Sequence, residues 1–388
     1  MSTVSHQVSD NKFNNLPFID LHKQQQLIRP QIEQALSQVL DHGSYILGPE
    51  VAILEDELGK FCGAKHSITC ASGTDALHLI LRAKNIGPGC VVFAPSFTFA
   101  ATAEAVALVG ATVFFVDVLP DTYNMDPKSL LKAIQQAKEQ SLNIQCIITV
   151  DIFGAPVDYD AINQIAADNN LWVLCDSAQS FGAQYKNKNI GTFGLATATS
   201  FFPAKPLGCY GDGGCIFTDD DELAQLLKSL RVHGQGIDKY DNIRVGLNSR
   251  LDTFQAVVLL EKLKLFSNEL AHRQKVAKTY NQLLSSFMQT PVINNQEYSA
   301  WAQYTIVLPK HINRHEFISK LKEYGVPTMV YYSKPLHLQT AYKNHFTLDN
   351  KLPVCEDLMH RVVSLPIDGY ISLDTVQMIA KIITEIMC

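Results

Sequence analysis

Apolar residues recur along this chain with two periods, and the switching between them predicts most of its elements. From about Gln25 to His42 the positions Ile28, Ile32, Leu36, Val39 and Leu40 fall at helical spacing, and Gly43 ends the run. A loop, Ser44-Tyr-Ile-Leu-Gly-Pro49, leads into a second amphipathic helix over Glu50 to Phe61. Beyond it short apolar runs alternate with helical patterns. Strands are predicted at 67–70, 91–94, 112–116, 146–150, 171–175, 197–202 and 214–217, and helices at 75–84, 99–108, 127–138, 158–168 and 220–231. Alternation of this length predicts an α/β domain whose mainly parallel sheet is covered by helices. After Arg231 the period is lost in a polar, glycine-bearing loop from His233 to Asn248. A long helix then covers about Asp252 to Phe287, with Phe254, Val257, Val258, Leu260 and Leu263 on its apolar side, as expected of a helix bridging two domains. The remainder predicts strand 303–308, helix 314–324, strand 327–331 and helix 373–387, a smaller α+β domain. The expected division is a disordered tail over 1–15, a large domain over 16–250, and the bridging helix with the small domain over 251–388.

Composition narrows the class without changing that picture. At 388 residues, 47% hydrophobic and 18% charged, the chain is long enough for a large core. A formal net charge of -6 gives no basic footprint, so no nucleic-acid partner is expected, although a locally positive site can still take an anionic substrate. Nine cysteines show neither CxxC nor Cys/His spacing, so neither a metal nor a disulfide framework is expected. Cys70, Cys146 and Cys175 lie in apolar runs, and Cys209 and Cys215 are read as packing residues. Met1 to Asn15 lacks a cationic start and apolar core, and the most apolar window, Ala100 to Val118, is broken by Glu104 and Gly110. No membrane segment and a cytoplasmic location are therefore expected.

The candidate chemistry centres on Thr199-Ser-Phe-Phe-Pro-Ala-Lys205-Pro-Leu-Gly-Cys-Tyr-Gly-Asp-Gly-Gly214, where a β-favouring run delivers a lysine into a glycine-dense turn. A lone lysine there is as readily a surface charge. Upstream, however, Leu171-Trp-Val-Leu-Cys175 reads as a buried strand ending in Asp176. A lysine and a carboxylate at strand ends suit pyridoxal phosphate, the lysine forming the Schiff base and the carboxylate holding the pyridinium proton. The phosphate needs a cradle, and Ala71-Ser-Gly-Thr-Asp-Ala-Leu77 offers Gly73 and Thr74 where a strand turns into a helix.

With these blocks in order, the chain resembles the pyridoxal-phosphate-dependent nucleotide-sugar aminotransferases of the aspartate aminotransferase fold (PLP fold type I), from about Leu16 onward. Further landmarks are Tyr45-Ile-Leu-Gly-Pro-Glu50, Pro95-Ser-Phe-Thr-Phe99, Asp176-Ser-Ala-Gln179, Gly211-Asp-Gly-Gly214 and Gly246-Leu-Asn-Ser-Arg-Leu-Asp252. The resemblance implies that Lys205 is the Schiff-base lysine and proton shuttle and Asp176 the pyridinium partner. It implies that Phe99 stacks on the ring, with Gln179 on the other side, and that Gly73, Thr74 and Ser200 contact the phosphate. It also implies a homodimer with shared active sites, in which Asn248 reaches the neighbouring subunit's phosphate. Phe99 alone would read as a core aromatic, and His233 and His337 as structural histidines. Where the family often has His-Tyr, this chain has Tyr331-Tyr332 before Ser333-Lys-Pro-Leu-His337, which removes any role resting on that histidine.

Lysine at 205 argues against the dehydratase branch of the same fold, which carries histidine there, and the intact Lys205 and Asp176 argue against a non-catalytic regulator. Gly87-Pro-Gly89 does not make a nicotinamide fingerprint. The reading is a ping-pong aminotransferase with glutamate as donor and a nucleotide-linked keto-hexose as acceptor. Around the shared blocks, Lys205-Pro-Leu-Gly-Cys-Tyr210 and Arg244-Val-Gly-Leu-Asn248 resemble the branch that aminates UDP-2-acetamido-2-deoxy-3-oxo-glucuronate for surface polysaccharide. The alternatives are dTDP-3-keto-6-deoxyhexose and 4-keto nucleotide-sugar aminotransferases. Arg250, Tyr331, Tyr332 and His337 are the candidate substrate contacts, Arg250 being either a carboxylate clamp or half of an inter-subunit salt bridge.

Overall fold

Why the active end of the sheet lies where it does follows from strand direction. The computed structural model describes residues 12–238 and 240–388. In chain order the large domain carries α1 (Leu21–His42), α2 (Pro49–Cys62), β1 (His66–Cys70), α3 (Gly73–Ala83), β2 (Cys90–Pro95), α4 (Ala100–Leu108), β3 (Thr112–Val116), α5 (Pro127–Glu139), β4 (Asn143–Val150), α6 (Tyr159–Asp168) and β5 (Trp172–Asp176). It continues with a small hairpin, β6 (Gln184–Tyr185) and β7 (Lys188–Asn189), then β8 (Ala196–Ser200), β9 (Gly214–Thr218) and α7 (Asp221–Leu230). The long helix α8 (Thr253–Leu284) follows. After it come β10 (Glu297–Tyr298), β11 (Tyr304–Val307), α9 (Arg314–Glu323), β12 (Phe346–Thr347), α10 (Pro353–Arg361), β13 (Val362–Leu365) and α11 (Leu373–Met387).

Eight strands form one sheet in the order β1-β9-β8-β5-β4-β2-β3-β12. Only β9 runs against the rest, paired antiparallel to both β1 and β8. The carboxyl ends of β1, β2, β4, β5 and β8 therefore share one edge, and β9 starts from that edge because β8 returns through a loop instead of a helix. Both faces are covered, as the period-two alternation demands: Val92 and Ala94 of β2 join one core cluster with Leu77 and Ala103. Val91 and Phe93 join the other with Leu54, Leu130 and Ile162. Capping fixes the helix starts. Ser72, Asp126, Asp158 and Asp220 each accept a first-turn N–H with their own side chain.

The small domain has its own core, built from Tyr280, Tyr304, Ile306, Leu321, Val363 and Ile379 around the β11–β13 pair. Here expectation and structure part. The strand expected over 327–331 does not form; Met329 makes a single bridge to Ser364, and the strand beside β11 is β13 instead. Pro327 lacks an N–H for a ladder, while Val362–Leu365 offers an unbroken one. The segment after 251 is also not confined to the small domain, because β12 adds parallel to β3 at the edge of the large sheet. The disordered tail expected over 1–15 lies, through residue 11, outside the described residues. Near its end Phe13 is seated on the small domain: its N–H donates to Tyr324 O at 2.9 Å.

Candidate active site

Five loops converge at the shared edge of the sheet. Asp176 is the last residue of β5 and is buried. Its Oδ2 accepts from Thr102 Oγ1 at 2.8 Å and its Oδ1 from Ala178 N at 3.2 Å. Burial pushes its carboxyl above the usual carboxylate range, while Thr102, the Ala178 N–H and Lys205 pull it back. Lys205 lies in the β8–β9 loop, and its N–H donates to Phe202 O at 2.8 Å. Its amine is lowered by burial and raised only by Asp176, so the two are electrostatic partners. Taken as a whole the residue is half-buried.

Thr102 was not singled out by the sequence, though Phe99 three residues earlier on the same helix face was. Phe99 caps α4 and is 58% exposed, a large apolar ring at the rim with no protein covering most of it. Gln179 is buried, with Oε1 accepting from Phe153 N at 2.6 Å and Nε2 donating to the Tyr332 hydroxyl at 3.2 Å. Thus Tyr332, from the far end of the chain, joins the site, while Tyr331 packs edge-on against Phe18. Burial raises both phenols.

The cradle is built where α3 begins. Ser72 caps the helix, its Oγ accepting from Asp75 N at 3.1 Å, which leaves the N–H groups of Gly73 and Thr74 free of helical partners. A Cβ at position 73 would stand 2.7 Å from Ser200 Cβ, so glycine alone lets the Ser200 hydroxyl come up to this helix start. Pyridoxal phosphate fits these residues. The helix start with Ser200 suits a phosphate, the exposed Phe99 face an aromatic ring, the buried Asp176 a protonated ring nitrogen, and Lys205 an aldehyde carbon.

Other expected site residues behave differently. His337 is a clasp and not a free contact. Its side chain is 3% exposed, Nδ1 meets Ser96 Oγ at 2.7 Å and Nε2 meets Glu356 Oε1 at 3.4 Å. Both ring nitrogens are engaged and burial lowers the ring's basicity, so within the chain His337 makes the contacts of a structural histidine. His233 sits in the left-handed region at φ 57° in the 233–248 loop. Arg250 is half-buried and has no ion-pair partner among the described residues. Asn248 is exposed and its backbone bridges Val232, while the next residue, Ser249, accepts from Ala71 N at 3.2 Å beside the cradle. Among the described residues no hydrogen bond or ion pair ties Asn248 or Arg250 directly to Asp176.

A buried node behind the site also escaped the sequence. The Asp151 carboxylate accepts from Tyr159 Oη at 2.7 Å, Ser177 Oγ at 3.0 Å, Ser180 Oγ at 2.7 Å and Val157 N at 2.9 Å. It stitches the β4 loop to the turn that carries Asp176 and Gln179. An aspartate three residues before a glycine was the only signal, and it is common to many turns.

A buried carboxylate at a strand end, a lysine within its electrostatic reach and a helix-start cradle at the same sheet edge define a pyridoxal-phosphate-dependent enzyme of this α/β architecture. Residues 26–384 match the DegT/DnrJ/EryC1/StrS aminotransferase family, and the chain belongs to it. Enzymes of this family use pyridoxal phosphate to aminate sugars. The chain is 46% identical to the UDP-2-acetamido-2-deoxy-3-oxo-D-glucuronate aminotransferase of Pseudomonas aeruginosa, over 95% of this chain and 100% of that one. A solved DegT DnrJ EryC1 StrS aminotransferase from Brucella abortus superposes with TM-score 0.94 at 48% identity, covering 96% of this chain and 100% of that one. DesV of S. venezuelae, solved in complex with a ketimine intermediate, gives TM-score 0.90 at 34% identity, covering 96% and 98%.

Proposed function

We propose that this aminotransferase moves an amino group from glutamate to C3 of UDP-2-acetamido-2-deoxy-3-oxo-glucuronate, for a cell-surface polysaccharide such as O-antigen. The observation that carries the chemistry is the buried Asp176 at the end of β5, within the electrostatic reach of Lys205 on the β8–β9 loop, beside the Gly73–Ser200 cradle. Similarity to the Pseudomonas relative supports the substrate.

When bound, pyridoxal phosphate supplies the electron sink that stabilises a carbanion at the amino-bearing carbon. The protein's residues do the rest. Lys205 would hold the cofactor and, once displaced by the donor, take the proton from the donor's amino-bearing carbon and deliver it to the cofactor carbon that it had itself held; its lowered basicity favours the neutral amine that this needs. Asp176 would keep the ring nitrogen protonated, and Thr102 fixes the carboxylate that does so. Gly73, Thr74 and Ser200 would hold the phosphate, and Phe99 and Gln179 the two sides of the ring. Arg250, lacking an ion-pair partner among the described residues, is available to the uronate carboxylate. Tyr332, hydrogen-bonded to Gln179, and Tyr331 beside it would contact the sugar.

A homodimer with shared sites belongs to this reading, Asn248 acting on the partner's phosphate. Its support is exposed apolar surface on the loop that ends at Asn248: Ile237 is fully exposed and Val245 is 79% exposed. A cytoplasmic location follows from the UDP-sugar substrate; among the described residues no helix is long and apolar enough to cross a membrane.

The test is the product. With glutamate and the 3-oxo-uronate, mass spectrometry should detect the 3-amino sugar and 2-oxoglutarate. Losing a charged hydrogen bond costs about 1.5–3 kcal/mol, so the uronate should exceed its 6-hydroxymethyl analogue by at least about tenfold in kcat/KM. Arg250→Lys should shrink that preference. Equal or better turnover of a dTDP-3-keto-6-deoxyhexose would overturn the substrate and leave the cofactor chemistry standing.

A further inference from the structure

The bridging helix α8 buries three charged side chains, Lys262, Glu269 and Arg273, each less than 5% exposed. Charged residues are rarely buried without partners, so each position needs a physical reason. Two of them look toward the small domain. Arg273 Nη1 donates to Trp301 O at 2.8 Å, and Glu269 Oε1 accepts from Gln24 Nε2 at 2.7 Å and from the Tyr370 hydroxyl. Lys262, seven residues before Glu269 on the same face, meets the β8–β9 loop instead. Its Nζ donates to the carbonyl of Gly208, three residues beyond Lys205, and stands 5.3 Å from the centre of the Tyr210 ring. Seven residues earlier on the helix, and so on the same face, Gln255 Oε1 accepts from Tyr210 N at 2.9 Å.

The loop between β8 and β9 is thus held from within and from outside. Within it, Cys209 N donates to Phe201 O and Phe201 N to Gly213 O, both at 2.8 Å. A Cβ at 208 would lie 2.5 Å from Pro203 O, so the chain folds tightly back on itself where Lys262 grips it. A cavity of about 20 Å³, room for a single water, lies between this loop, α8 and the N-terminal segment. Lys205 and Lys262 both line it, with Glu269, Arg273 and Asp368.

We propose that Lys262, together with Gln255, is a positioning residue for Lys205, fixing the loop that carries the reactive amine to the helix that joins the two domains. Lys262 contacts neither substrate nor cofactor in this account; it acts through the Gly208 carbonyl. Burial lowers its amine to about 8, with Glu269 and the Cys209 thiol raising it and Arg273 lowering it, so the ammonium persists at neutral pH and its hydrogen bond is charge-assisted. The proposal rests on the reading of Lys205 as the cofactor lysine.

The test uses the holoenzyme with Lys262→Met, Gln255→Leu and Gln255→Glu, the last keeping an acceptor for Tyr210. Each is mixed with excess glutamate and the bound cofactor's visible absorbance is followed through a single half-reaction. Lys262→Met should slow that step about tenfold or more, while the glutamate concentration giving half the maximal rate stays within about threefold. Gln255→Leu should slow it less, and Gln255→Glu should recover most of the loss. A second reading needs no donor. Removing a cation that lines the same cavity should raise the pH midpoint of the cofactor's absorbance change in Lys262→Met. Wild-type rate and midpoint in a folded Lys262→Met protein would overturn the proposal, as would a loss confined to thermal stability. If that variant does not fold, equal rates for the two Gln255 variants overturn it. Borohydride trapping in the wild type separates the two readings: failure to label Lys205 strikes the cofactor assignment, whereas labelling with unaffected variants strikes the positioning role alone.

Discussion

Asp176 and Asp151 are neighbouring buried carboxylates on adjacent loops of one sheet edge, and they are built for opposite purposes. Asp151 accepts four hydrogen bonds from Tyr159, Ser177, Ser180 and Val157. Asp176 accepts two, from Thr102 and Ala178, and its other electrostatic partner is a lysine on a different loop. The difference separates scaffold from site. A carboxylate surrounded by donors is a structural knot; one left with acceptor capacity beside a half-exposed lysine and an exposed phenyl ring is prepared for something that has yet to arrive. His337 and Arg250 repeat the contrast. The histidine has both nitrogens engaged, and the arginine has no ion pair among the described residues.

Substitutions can break this comparison. Asp176→Asn should have the largest effect, lowering kcat roughly ten- to a hundredfold because a charged partner of the ring nitrogen is lost. Steady-state assays at saturating cofactor would check it, and a fall of less than about twofold would put Asp176 with the scaffold. Gly73→Ala should come next. Its Cβ would press on Ser200 Cβ at 2.7 Å. Displacing Ser200 or the helix start costs about 1–3 kcal/mol, which should appear as weaker cofactor retention on dialysis with the folded fraction largely preserved.

The smallest effect is one of pH, and it sharpens the scaffold side. Burial raises Asp151 to about 6, while its four donors and the nearby Tyr159 and Cys175 define its surroundings. With a folded pKa above the unfolded one, the native state holds the extra proton between about 4 and 6. Its contribution is therefore most favourable at the acid end and is lost as pH rises through about 6. The difference in unfolding free energy between wild type and Asp151→Asn should shift in the variant's favour across that window and stay flat above it. A difference independent of pH from 4 to 8 would contradict the raised pKa.

The parts of the molecule legible in its sequence are those set by local chemistry. The run Thr112–Val116 is β-branched and aromatic and follows Gly110, and its strand lies where the pattern put it. Asp176 ends β5, and Lys205 and Gly73 follow β8 and β1 within a few residues in glycine-bearing turns, which one-dimensional reading can find. What stayed hidden depends on contacts across long sequence separations. Tyr332 meets Gln179 across 153 residues, and β12 reaches the large sheet from the far side of the bridging helix. Lys262 lies on the helix whose apolar side was marked by Phe254, Val257 and Leu263, but a lysine within such a run reads as solvated until the Gly208 carbonyl is seen against it. The strand misplaced to 327–331 has the same cause, since only the partner β11 selects which nearby apolar run pairs with it.

The central claim is that Lys205 is the residue that takes the cofactor. Borohydride reduction of the purified yellow holoenzyme, followed by proteolysis and mass spectrometry, tests it directly. The account predicts a pyridoxyl-phosphate label on Lys205 alone, and neither label nor turnover in Lys205→Ala. A label on another lysine, or near-normal transamination by Lys205→Ala, would contradict it.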